Sequence, residues 1–184
     1  MPDSYFNLSG DRTIEDTRVT LPTALHLPVD DLLIPTGAIA PYPDVEANTE
    51  FTLGPIQPDI DHCFVLDPVA VTPPSTVPPD TRTRPLRLNA AMRHPKSGVR
   101  LEVHSTEPAF QFYTGRYIDV PEVRDGAGRV VSPAREARAG FCVEPSRFVN
   151  AVNVDGWRGM VVLRRGQLYG ARVVYRAWQE AARG

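Results

Sequence analysis

Nineteen prolines stand among 184 residues, roughly twice ordinary usage, and no other feature restricts the architecture as much. Proline has no backbone N–H to donate, and its ring collides with the preceding helical turn, so long helices are not expected. Strand patterns fill the intervals between prolines. Leu101-Glu102-Val103-His104 and Phe110-Gln111-Phe112-Tyr113 alternate with period two between Gly, Pro or Ser residues, as half-buried strands do. Met160–Leu163 and Ala171–Tyr175 are β-branched runs on either side of Arg165-Gly166-Gln167, which predicts a hairpin. Asp125-Gly126-Ala127-Gly128 reads as another turn. Only Pro133–Arg138 and Ala177–Arg183 could hold a turn or two of helix. The expected class is all-β, an antiparallel sandwich or a larger relative of one.

The segment from Met1 to about Glu50 reads as short strands cut by Pro22, Pro28, Pro35, Pro41 and Pro43. It belongs to the same domain as the rest, so one domain is expected over residues 1–184. Pro73–Pro85 holds too little apolar surface to bury and is expected as an extended, exposed loop.

Composition excludes several classes. Twenty basic against twenty-two acidic residues give a formal charge of −2, whereas a nucleic-acid or membrane-surface binder needs a basic excess. No apolar run is long enough to span a bilayer. Met1–Gly10 has neither a basic start nor an apolar stretch of the secretory kind, and two cysteines, Cys63 and Cys142, do not make a disulfide scaffold. A cytoplasmic location follows as the expectation, with both thiols buried and unreactive. Six arginines between Trp157 and Gly184 alternate with valines and lack an interleaved aromatic platform, so they read as the solvated side of strands.

Signatures of phosphate loops, nucleophile elbows and metal motifs are absent, and His26, His62, His94 and His104 have no ligand spacing. No metal site is expected. Three polar residues beside apolar runs remain. Glu144 closes Gly140-Phe141-Cys142-Val143: it is either a partly desolvated carboxylate suited to general-base work or an edge-strand glutamate facing water. Asp61-His62 opens the run Cys63–Leu66 and by itself is a polar turn before a strand. Gln111, among Phe110, Phe112 and Tyr113, either pairs with a neighbouring strand or faces a ligand.

Taken in order, Ser4-Tyr5-Phe6-Asn7-Leu8, Asp61-His62-Cys63-Phe64, Gln111-Phe112-Tyr113-Thr114-Gly115 and Gly140-Phe141-Cys142-Val143-Glu144 resemble the aldose 1-epimerase (galactose mutarotase) family. Asn153, then Leu163–Gly166 with Tyr169, resembles that family's last hairpin, with Arg165 at its proline position. The matches run from residue 4 to about 178.

The resemblance implies a galactose mutarotase-like β-sandwich binding a hexose such as glucose or galactose on its concave face. It implies interconversion of anomers by acid/base ring opening, an isomerase reaction with no metal or organic cofactor. Glu144 matches the family's catalytic base, and Asp61 and Gln111 match its sugar-binding residues. The family's catalytic acid, a histidine, falls at Asp3. An aspartate of ordinary pKa, ~3.9, is ionised at neutral pH and donates a proton poorly. The matches cover the family's C-terminal half, so the chain is expected to be truncated at its N-terminus relative to the family. Self-association into a homo-oligomer, or a partner chain, is then expected to cover the exposed sandwich faces. Two functions follow as alternatives. One is a weak or inactive epimerase; the other is a non-catalytic carbohydrate-binding or regulatory relative, or a mutarotase fold redirected to another ligand.

Overall fold

The computed structural model describes residues 4–66 and 77–180. Among them the chain forms β1 (Tyr5–Phe6), β2 (Arg18–Thr20), β3 (Leu25–His26), β4 (Ala40–Pro41), β5 (Glu50–Thr52), β6 (Asp61–Val65), β7 (Arg87–Arg93), β8 (Val99–Ser105), β9 (Ala109–Tyr113), β10 (Val123–Arg124), β11 (Val130–Ser132), β12 (Phe141–Ser146) and β13 (Val173–Gln179). Among the described residues, helix is confined to a 3₁₀ turn, Ala151–Asn153, and to α1, Asp155–Arg158. The strands before residue 53 are two or three residues long, as the proline spacing anticipates. Pro41 lies in β4 at a sheet edge, where its missing donor breaks no ladder.

Two antiparallel sheets carry the fold, ordered β1-β12-β9-β6-β3-β4 and β13-β8-β7-β2-β5, with β10-β11 as a separate ribbon. Period-two alternation explains what lies between them. Phe64, Phe110, Phe112, Phe141 and Val143 of the first sheet meet Val19, Ala90, Met92, Leu101 and Val103 of the second. Each fully buried side chain of this size contributes roughly 1.5–3 kcal/mol, so this layer anchors both sheets. Among the described residues, one end of the other side of the six-stranded sheet is roofed. There Leu27, Cys63, Val65 and Ala109 lie under Val77, Phe148, Ala151, Trp157 and Met160.

A buried ionic knot ties the roofed end together. Arg147, 8% exposed, ion-pairs with Glu107, 1% exposed. Its second Nη donates to the carbonyls of Pro78 (3.0 Å) and Pro79 (2.8 Å), and the Tyr169 hydroxyl donates to Glu107 Oε1 at 2.9 Å. Burial pushes the Glu107 carboxyl above its ordinary range against the pull of Arg147 and Tyr169.

Several sequence expectations are corrected. Met160–Leu163 is not a strand. Met160 is drawn into the core under the roof, and the N–H groups of Val161 and Val162 both donate to Arg158 O at 3.1 Å, which continues the turn of α1. Without that partner, β13 pairs with β8 over Val173–Gln179. That pairing also extends Ala177 as strand, where a helical turn was anticipated, and residues 181–184 lie outside those described. Pro133–Arg138 forms an isolated bridge, Val120 with Arg135, and no helix. Of the proline-rich stretch, residues 73–76 lie outside those described. Beyond them, Val77 and Thr81 are buried, and Thr81 N–H donates to Gly170 O at 2.7 Å. The tether supplied by Arg147 and Gly170 was not legible in the loop's composition.

Candidate functional site

Three strands in mid-sheet build the site by register. Glu144 of β12 stands directly opposite Gln111 of β9, and Gln111 opposite Cys63 of β6. The next row on the same side is Tyr5, Cys142, Tyr113 and Asp61. Since successive side chains alternate between faces, Asp61, Gln111 and Glu144 share one face, turned away from the phenylalanine layer. Gln111 Nε2 donates to Asp61 Oδ1 at 2.7 Å, a diagonal cross-strand contact within reach of long side chains. The amide is thereby fixed with its carbonyl oxygen turned elsewhere, and Asp61 is exposed while Gln111 and Glu144 are half-buried. Residues 50 and 33 positions apart in sequence thus converge. Asp3 lies outside the described residues.

Two tyrosines belong to this face and were not singled out from the sequence. The Tyr5 and Tyr113 rings meet edge to face, with centroids 6.4 Å apart. Tyr113 OH accepts from Tyr117 N–H at 2.6 Å, which pins the turn after β9. Loss of water, then Cys142 and Tyr113 beside it, pushes the Tyr5 phenol up to about 12, and burial raises Tyr113 as well. Both therefore stay protonated at neutral pH. The signal for Tyr113 was present in the Gln-x-Tyr spacing, which places it two residues along the same face as Gln111. Cys63, at the floor, is pushed up to about 12 by burial, and neither cysteine is in a disulfide.

The histidines lie elsewhere. His62 alternates to the side opposite Asp61 and Cys63 and packs against Tyr42 and His26. His94 is buried beside Ser97, and His104 pairs with Glu102 on the second sheet. Among the described residues, no group of three or more His, Cys, Asp or Glu side chains is placed to hold a metal ion.

This arrangement offers an exposed carboxylate tied to an amide, a second carboxylate about one strand spacing further on (~4.8 Å), and two neutral phenols. Such a set can hold vicinal hydroxyls and take a proton from one of them.

Comparison with known proteins gives a consistent result. A family model described as aldose 1-epimerase matches residues 3–176. The bifunctional protein gal10 of Schizosaccharomyces pombe is 37% identical over 174 residues, covering 92% of this chain and 22% of that protein. Galactose mutarotase of Homo sapiens is 33% identical over 175 residues, covering 90% of this chain and 45% of its own length. The crystal structure of a GalM/aldose epimerase homologue from C. elegans superposes with a TM-score of 0.71 at 22% identity, over 96% of this chain and 50% of that one. Galactose 1-epimerase from Lactobacillus acidophilus gives a TM-score of 0.56 at 16% identity. The chain spans half or less of the length of these relatives.

Proposed function

The chain belongs to the aldose 1-epimerase family, and from that premise we propose that it binds an aldohexose such as galactose or glucose on the Asp61–Gln111–Glu144 face. Glu144 acts there as the base of anomer interconversion. The observation that carries this reading is the 2.7 Å hydrogen bond holding Gln111 against Asp61, directly across from Glu144. In the reaction Glu144 takes the proton of the anomeric hydroxyl while the bond from C1 to the ring oxygen breaks. The ring oxygen needs a proton in return. The aldehyde then turns about its C1–C2 bond, and the ring closes on the other face.

Turnover by this chain is weak. A well-placed acid contributes typically ~10²–10⁴-fold to such a step, and Asp3 stands where the family resemblance puts a histidine. None of the four histidines lies on the Glu144 side of the sheet, and that placement favours carbohydrate binding with little catalysis as the second reading. Polarimetry on freshly dissolved α-D-galactose or α-D-glucose separates the two. Slow mutarotation above the buffer rate, lost in Glu144→Gln while sugar binding persists, supports the first. Binding without any rate above buffer supports the second, and rapid turnover unaffected by Glu144→Gln refutes the assignment of the base.

A further inference from the structure

The five-stranded sheet ends in two unlike edges. β5 is three residues long, whereas β13 runs for seven, Val173–Gln179. It pairs with β8 in unbroken register, from Val173 opposite Ser105 to Gln179 opposite Val99. Among the described residues no strand lies on its other side. Open edges are ordinarily guarded by proline, a bulge or an inward-pointing charge, and Val173–Gln179 contains none of these.

Backbone direction decides which groups are free. Arg172 O accepts from Thr106 N–H at 3.0 Å, and Glu180 N–H donates to Gly98 O at 2.9 Å, so the even-numbered residues aim at β8. Alternate residues of an antiparallel strand turn their N–H and C=O groups to opposite sides. Those of Val173, Tyr175, Ala177 and Gln179 therefore face the open edge. The seam behind them is also open: Phe6 of β1 and Tyr175, with ring centroids 5.4 Å apart, are only half-buried against the core.

The outer face of the strand selects the partner. Arg176 and Glu180 stand two residues to either side of Trp178, which is 39% exposed. Arg176 lies 3.6 Å from Glu102, and Glu180 lies 2.8 Å from Arg100. When two copies of this strand run antiparallel about a twofold axis at Trp178, each Arg176 stands opposite Glu180 of the second copy. The two tryptophans then meet as a non-hydrogen-bonded pair, where side chains approach most closely. In the same register Ala177 exchanges two backbone hydrogen bonds with Gln179 of the second copy, and Gln179 does so with its Ala177. An axis at Arg176 would instead set like charges face to face, which is destabilising.

We propose that the open edge of β13 is a self-association surface, and that its occupant is a second copy of this chain, paired antiparallel through Trp178 so that the two five-stranded sheets become one. The interface is isologous, since the same edge serves both copies. Sedimentation equilibrium of the full chain over a range of concentrations tests it. So short an interface should give a reversible dimer with a dissociation constant on the order of 10 µM. Ala177→Pro removes an N–H that faces the edge and no bond to β8, so it should weaken the dimer at least about tenfold and leave the circular dichroism of the monomer unchanged. Arg176→Glu sets a carboxylate opposite Glu180, and Glu180→Arg sets a guanidinium opposite Arg176. Each variant alone should associate at least about tenfold more weakly than the unmodified chain. Mixed together they place opposite charges face to face at both positions, and the affinity should return to within about threefold of the original. A chain that stays monomeric up to ~1 mM, leaving the edge to a different polypeptide, overturns the proposal. So does a dimer indifferent to Ala177→Pro, or a pair of charge variants that remain apart when mixed.

Discussion

Arg147→Met puts the buried knot to a quantitative test. In the intact protein the guanidinium neutralises Glu107 inside the fold, where the carboxyl is 1% exposed. Methionine fills much of the same volume but carries no charge. Glu107 then retains the Tyr169 hydroxyl (2.9 Å) as its donor and the charge of Arg84 nearby, and a buried charge that loses its ion-pair partner is destabilising by about 3–5 kcal/mol. The variant has an escape, since the carboxyl can take up a proton. At pH 7, protonating a carboxyl of ordinary pKa ~4.3 costs about 3.7 kcal/mol; at pH 5 the same step costs about 1 kcal/mol. The sign follows from proton counts. In the variant the folded pKa lies above the unfolded one, so the folded state binds the extra proton and stability is lost as pH rises. Urea unfolding at both pH values is the assay. The expected deficit is about 3–4 kcal/mol at pH 7 and about 1–2 kcal/mol at pH 5, the residue at the lower pH reflecting the lost contacts to Pro78 and Pro79. Adding Glu107→Leu should recover a large part of the loss at pH 7. A deficit below about 1 kcal/mol at pH 7, or one that does not change with pH, refutes the view that the pair is ionised and buried together.

Gly115, two residues beyond β9, sits at φ 78°, and a Cβ there would lie 2.1 Å from Gly140 O and 2.9 Å from Ile118 Cδ1. Gly115→Ala should therefore cost more than about 2 kcal/mol and lower the melting temperature by roughly 4–8 °C; a shift within about 2 °C refutes the clash. Burial, then His26 beside it, holds the His62 imidazole below its ordinary value against the pull of Asp61 and Asp59. The unfolded chain then binds the proton more readily, so stability falls as pH drops below ~6.5. The urea midpoint should decrease between about pH 7.5 and pH 5.5, and His62→Gln should flatten that slope; an unchanged slope in the variant assigns the dependence to another group.

How much of this was legible in the chain differs from residue to residue. The period-two run Phe110–Tyr113 put Gln111 and Tyr113 on one face and the two phenylalanines on the other, because a strand's side-chain alternation is a local property of its backbone. The ordered motifs around Asp61, Gln111 and Glu144 likewise carried the family and the class of fold. Glu144, however, read locally as a base or as a solvated edge residue, and Asp61 as a turn. Their meeting depends on β6, β9 and β12 being neighbours in one sheet, and packing of the phenylalanine layer decides that order across dozens of intervening residues. The same non-local pairing drew Val173–Gln179 onto β8 and left Val161–Leu163 outside any strand, although both runs have strand-like composition. The left-handed backbone of Leu33, φ 62°, had no sequence signal at all: it arises where the loop closes, with Leu33 N–H donating to Asp30 O at 2.9 Å and Val29 bridging to Pro35. Alternation is written into each strand, but register, strand order and loop closure are settled only when the whole core packs.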